Sequence, residues 1–207
     1  MKIKGLLLKE VYAQKFTIIA YSIMFAAFLV ALFLSDVLGP MMLFPCFIAS
    51  SVGINSFTLD EKGWGKYAHS LPCSTKEIIL SKYIFALAWN FATLLLMVGA
   101  RFLGSLVFDF EFMSGEFAFN LVLICVVYTV IYCLMPLYFK LTNKVLVAAC
   151  AAIGGVSGIA VNMLYFNGNI VLNIGVIPVI VLFIVMLVSI PVTYHITVKL
   201  YDKQELD

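Results

Sequence analysis

Six apolar stretches, each close to the ~20 residues that a helix needs to cross a bilayer, fill almost the whole of this chain. They run over residues 16–35, 40–59, 83–108, 117–139, 145–165 and 174–198. Of the 207 residues 64% are hydrophobic and 12% charged, with a mean hydropathy of +1.10, whereas soluble domains carry about 25% charged residues. The expected fold is an all-α integral membrane protein, one transmembrane domain over residues 1–207. The longest polar gap, residues 60–82, leaves no room for a separate soluble domain. The first stretch follows Lys2, Lys4, Lys9 and Lys15. It is too long for the core of a signal peptide and lacks a small-x-small cleavage site, so it reads as a retained helix. Cys46, Cys73, Cys125, Cys133 and Cys150 show no metal-binding or disulfide spacing and read as small apolar fillers.

The lysines orient these helices, because Lys and Arg accumulate in cytoplasmic loops. All twelve lysines fall on one side: four before the first stretch, then Lys62, Lys66, Lys76 and Lys82 in the long loop, Lys140 and Lys144, and Lys199 and Lys203. The opposite connections hold Asp36, Asp109, Glu111 and Glu116 and no lysine. Both termini are therefore expected in the cytoplasm.

Residues 2–14 permit two readings. One is a short helix in the membrane interface, with Ile3, Leu7 and Val11 towards lipid and the lysines towards headgroups. Glu10 shares that face, so either the helix packs against protein there or the segment is a basic flank. Pro40 opens the second stretch after a short turn, and Pro136, Pro178 and Pro191 are placed to kink or end helices near the membrane surfaces. In the fifth, "AAIGGVSGIA" pairs Ala151 with Gly155 and Gly154 with Gly158, a small-xxx-small pattern that lets helix backbones approach closely.

The chemistry-bearing groups are few. "GVSG" at 155–158 matches the Gly-x-Ser-Gly of intramembrane serine proteases, with His195 as a base. Depth opposes that pairing: at ~1.5 Å per residue Ser157 sits roughly 18 Å along its helix and His195 only about 5 Å from the cytoplasmic end of the last, beyond the hydrogen-bond reach that catalysis needs. No Asp or Glu falls inside a span, which opposes an ion-coupled carrier. Arg101 is the one intramembrane charge, near the outer surface. Its simpler role is to snorkel outward or to pair with Asp109 or Glu111; its functional one is to line an outward-opening path. Asn55, Asn90, Asn120 and Asn162 suit either interhelical hydrogen bonds or a path. The chain has no phosphate-binding loop, cofactor motif or metal cluster, so a transport function needs a partner that supplies work.

The long polar loop, "DEKGWGKYAHSLPCSTKEIILSKY", has specific start signals. Pro72 interrupts a helix. Ser74 or Thr75 can cap a new one, and Glu77 in its first turn suits the helix dipole. A short helix is thus predicted before the third span, while Trp64 and Tyr67 suit anchoring at headgroups.

The acidic pair Asp60 and Glu61, Trp64, Tyr67, "SLP", the Ser/Thr-Lys-Glu triplet and "SKY" resemble the loop after the second helix in small ABC type-2 permeases. These are the six-helix membrane subunits of two-component bacterial ABC exporters, such as the permease of the phenol-soluble modulin exporter. The family often carries arginine where Lys76 stands, a departure that keeps the charge. The resemblance implies an N-terminal interfacial helix and a cytoplasmic coupling helix between helices 2 and 3. In that helix Leu71, Pro72, Cys73, Ser74, Thr75, Lys76, Glu77 and Ile78 meet a separate ATPase. It places Asp60, Glu61 and Trp64 at the cytoplasmic mouth of the pathway or on the ATPase surface, and Gly154, Gly155 and Gly158 at close-packing positions, while Asn55, Asn90 and Arg101 are pathway candidates from their own positions in the spans. The partners it implies are a cytoplasmic ABC ATPase carrying ATP and Mg, a second permease copy, identical or paralogous, and membrane lipid, with no nucleic acid. This chain binds no cofactor and is not itself the enzyme. The setting is the bacterial cytoplasmic membrane, and the cargo an amphipathic or hydrophobic peptide, antibiotic or lipid moved outward. The alternative is a non-transporting scaffold or sensor that recruits a partner through the 60–82 loop.

Overall fold

A computed structural model describes residues 2–34, 46, 52, 53, 56, 73–107, 115–136 and 176–204. Among them there is no strand, and five helices follow in order: α1, Lys2–Ala13; α2, Lys15–Leu34; α3, Thr75–Val107; α4, Gly115–Leu134; and α5, Val176–Gln204. Helices α2 to α5 coincide with the expected first, third, fourth and sixth apolar stretches. Three of them, over Thr75–Leu106, Phe117–Leu134 and Val176–Leu200, are long and apolar enough to cross a membrane, and Lys15–Ala27 is a shorter apolar run. Of the expected second span the described residues are Cys46, Val52, Gly53 and Ser56, all helical and buried. The fifth, 145–165, lies outside the described residues, and with it Asn162 and the small-residue pattern of Gly154, Gly155 and Gly158.

One expectation needs correction. The short helix before the third span is not a separate element. Helix α3 starts at Thr75, close to the expected cap, but runs without a break for 33 residues, because no Gly or Pro stands between Glu77 and Tyr83 to end it. At ~1.5 Å per residue that is about 50 Å, some 20 Å more than a hydrocarbon core, so its first turns extend beyond the apolar layer as part of one rod. Helix α1 packs a stripe of Leu6, Glu10 and Gln14 against protein, and Val11, of the set expected towards lipid, is exposed. Between α1 and α2 only Gln14 leaves the helical conformation, and hydrogen bonding continues across it: Gln14 N–H donates to the Glu10 carbonyl and Ile18 N–H to the Gln14 carbonyl.

The main core draws Ile79, Tyr83, Ala86 and Met97 from α3, Phe117, Ile124, Tyr128, Ile131 and Tyr132 from α4, Met186 and Val198 from α5, and Cys46. Helix α4 pairs most extensively with α5, and of the three long apolar helices α4 is the most buried and α5 the least. The outer face of α5 is a stripe of exposed Ile177, Ile180, Ile184 and Val188, as expected where the neighbour is lipid. Pro178 sits in the first turn of α5, where its missing N–H costs nothing, Pro136 lies just past the end of α4, and α5 continues through Pro191.

A close approach of two helices lies at a glycine that the sequence pattern did not single out. A Cβ added to Gly53 would lie 2.9 Å from the Ala86 Cβ and 3.4 Å from its Cα. Neither atom belongs to a flexible side chain. Gly53→Ala is expected to cost about 1–3 kcal/mol by overpacking, read as a lower midpoint of thermal unfolding in mild detergent; an unchanged midpoint would mean that the two helices part there freely.

Candidate functional site

The polar groups of the described chain gather around the N-terminal third of α3, at its lysine-rich end. The helix begins with a reciprocal cap. Ser74 N–H donates to Glu77 Oε2 at 2.9 Å, and Glu77 N–H lies 3.4 Å from Ser74 Oγ. Glu77 and Ile78 N–H also donate to the Ser74 carbonyl, at 2.9 and 3.2 Å. This is a capping box, in which the side chains at the cap and three residues later each satisfy the other's backbone donor. Of the two expected capping residues the structure selects Ser74, and Thr75 is the first helical residue.

The next turn is packed rather than presented. Ile78 is buried against Leu6 of α1, with Cys73 beside them. Among the described residues of the expected coupling set Ser74 and Lys76 are exposed, Cys73, Thr75 and Glu77 are half-buried, and Ile78 is packed on α1. Leu71, Pro72, Asp60, Glu61, Trp64 and Asn55 lie outside the described residues.

One turn further on stands Lys82, read in the sequence as a topology signal and as the lysine of "SKY". Lys82 is 3% exposed and its Nζ lies 3.4 Å from Oε1 of Glu10, itself 2% exposed. The ammonium also donates to the backbone carbonyl of Ser56. Lys9 Nζ reaches the same Glu10 oxygen at 3.0 Å from a more open position, whereas Glu10 Oε2 is buried without a hydrogen bond. One turn after Glu10, the Gln14 amide, oriented by its partners, donates to the Val52 carbonyl at 3.0 Å and accepts from Ser56 N–H at 3.1 Å. Ser56 Oγ donates to the Gly53 carbonyl at 2.8 Å. Helix α1, residues 52–56 and the base of α3 are thus joined through one buried charge pair and the amide beside it.

An adjoining face of α3 is tied to α5 by neutral groups. Thr197 Oγ1 donates to the Thr193 carbonyl at 2.8 Å. Its single proton is thereby used, so in the 2.8 Å contact of Tyr83 OH with Thr197 Oγ1 the tyrosine is the donor. Tyr194 OH donates to the Lys76 carbonyl at 3.3 Å, and the Tyr83 and Tyr194 rings meet edge to face at 5.8 Å between centroids. His195, on the same helix, is exposed, with Nδ1 3.0 Å from the Pro191 carbonyl; Ser157 lies outside the described residues.

The two described pathway candidates are not brought together. Asn90 is buried, with Nδ2 donating to Tyr132 OH at 3.2 Å, which makes it an interhelical hydrogen bond between α3 and α4. Arg101 lies eleven residues further along α3, about 16 Å away at ~1.5 Å per residue. It does not snorkel to lipid. The residue is 9% exposed, and its guanidinium carbon lies over the Phe117 ring, 5.7 Å from the centroid, in a cation–π arrangement. Asp109 and Glu111 lie outside the described residues.

Residues 5–202 match the family described as ABC-2 family transporter protein. The chain belongs to that family. No curated protein and no solved structure matches it. As an ABC-2 family protein it is the membrane permease of an ABC transporter, a multi-pass transport component that associates with an ABC ATPase.

Removing one partner of a buried ion pair strands the other charge, at a cost of about 3–5 kcal/mol, whereas replacing both with apolar groups is often close to neutral. Glu10→Leu should therefore destabilise the permease strongly in detergent unfolding, and adding Lys82→Met should recover most of the loss; penalties that simply add would contradict the pairing. Ser74→Ala should cost about 0.5–2 kcal/mol of helix stability, seen as faster amide hydrogen exchange confined to residues 75–78. Unaltered exchange there would show that the cap is not what holds the first turn.

Proposed function

We propose that this permease is the membrane half of an ATP-driven exporter in the bacterial cytoplasmic membrane, with its lysine-rich end and both termini in the cytoplasm. The ATPase engages the first turn of α3 around Cys73, Ser74, Thr75, Lys76 and Glu77. The observation that carries this reading is the continuity of α3: its capped, partly exposed start and its apolar span are one rod, so force applied at Ser74 and Lys76 reaches the transmembrane segment without a hinge. Two permease copies, identical or paralogous, pair with two ATPases, and ATP-driven closure of the ATPases tilts the two α3 rods. The cargo is an amphipathic or hydrophobic peptide, antibiotic or lipid, which suits walls supplied by side chains such as those of the apolar core. Asn90 and Arg101 belong to the protein interior along that route, one as a hydrogen-bonding strut and the other as a covered charge.

The test is to isolate the tagged permease from its own membranes in mild detergent and read the stoichiometry of what accompanies it. An ABC ATPase should co-elute, be lost when residues 73–77 become a Gly/Ser linker, and be weakened at least severalfold by Lys76→Glu. Lys76 is the better single site, because its side chain is exposed while a change at Glu77 would also break the cap. Repeated elution without an ATPase, or retention by the linker variant, would overturn the placement and favour a scaffold that recruits some other partner.

A further inference from the structure

We propose that the Glu10–Lys82 pair makes α1 a moving part of the transporter: α1 travels with the base of α3 and with residues 52–56 as one body, and slippage occurs on the α5 side instead. This rests on the reading of the α3 base as the point where the ATPase acts. The argument begins with the stripe that α1 buries. Leu6, Glu10 and Gln14 are spaced i, i+4, i+8 and each is engaged by protein: Leu6 by Ile78, Glu10 by Lys82, and Gln14 by Val52 and Ser56. A helix held only by lipid would bury apolar groups and leave the carboxylate and the amide in water. Here protein encloses the carboxylate and the amide, while Leu8, Val11 and Tyr12 are exposed.

A buried ion pair also resists sliding in a way that apolar packing does not. Displacing α1 along α3 by one residue, ~1.5 Å, would draw the Glu10 carboxylate off Lys82 in a medium that solvates it poorly. The contacts of α3 with α5 carry no such penalty. Tyr83 to Thr197 is a bond between neutral hydroxyls, and Tyr194 to Lys76 is long, single and exposed. Threonine hydroxyls one turn apart, at 193 and 197, offer equivalent acceptors to a shifted tyrosine. The strong, charge-specific joint lies on one face of the rod and the exchangeable one on an adjoining face.

Spin labels on a cysteine-free background test this, with the labelled permease diluted among unlabelled copies, in lipid nanodiscs and in complex with its ATPase. One pair joins Tyr12 to Ala88, across α1 and α3; the second joins Ala88 to Val192, across α3 and α5. Between the nucleotide-free complex and the complex trapped with ATP and vanadate, the first distance distribution should superimpose and the second should shift. Glu10→Gln should broaden the first distribution, and the exchange Glu10→Lys with Lys82→Glu should sharpen it again, a rescue that a packing role alone would not give. The inference is overturned by a first distance that shifts on trapping, by a Glu10→Gln distribution as narrow as that of the parent, or by trapping that moves neither pair. Co-elution of the ATPase is read beforehand. Failure to form the complex would remove the coupling reading and this inference together, whereas a complex that traps vanadate but moves α1 away from α3 removes this inference alone.

Discussion

A carboxylate and an ammonium that are almost fully enclosed by protein leave little freedom to whatever surrounds them. Glu10 and Lys82 come from segments 72 residues apart in the chain, and each offsets the other's charge in its buried position. Desolvating either alone would cost several kcal/mol; held together, and with Lys82 also on the Ser56 carbonyl, they hold α1 in one register on α3. Gln14, one turn later, then meets residues 52 and 56 along the same line. Gly53 lets that segment press onto Ala86, and Leu6 closes over Ile78. The lysine-rich end of the molecule is thus organised around a charge pair, in a chain where charges are scarce.

The rod built on this joint is α3, and its continuity gives the joint mechanical meaning. Ser74 and Glu77 start the helix abruptly by satisfying each other's backbone donors, so the rod has a defined end rather than a frayed one. Nothing then interrupts it until the far side of the apolar layer. Tyr83 and Asn90, about two turns apart, tie it to α5 and α4, and Arg101, laid over Phe117, packs its distal part against the start of α4. Membership in the ABC-2 family places an ATPase beside such a permease, and a capped helix end that extends beyond the apolar layer is the kind of handle through which a soluble motor can move a membrane helix.

Much of the fold was legible in the sequence because crossing lipid imposes a length. The apolar stretches at 16–35, 83–108, 117–139 and 174–198 all correspond to helices, since a segment that cannot bond its backbone to solvent must bond to itself. The start of α3 was legible within a residue, from Ser74, Thr75 and Glu77. What could not be read was three-dimensional pairing. Lys82 looks like any other lysine of a cytoplasmic loop until Glu10 is seen beside it; the only hint was that Glu10 interrupts an otherwise apolar face. The inward turn of Ile78 and the burial of Arg101 depend likewise on partners, Leu6 and Phe117, that lie far from them in sequence. The separate coupling helix was expected from its strong start signal, but a start signal carries no information about where a helix stops.

The central claim is that the ATPase meets the permease at the capped start of α3. A photo-reactive amino acid placed at Lys76, with a second chain carrying it at Leu103 near the other end of the same rod, tests that contact in intact cells. The account predicts an ultraviolet-dependent adduct of permease and ATPase from position 76 and none from 103. Adducts from 103, or their absence from 76 while the complex is otherwise intact, would contradict it.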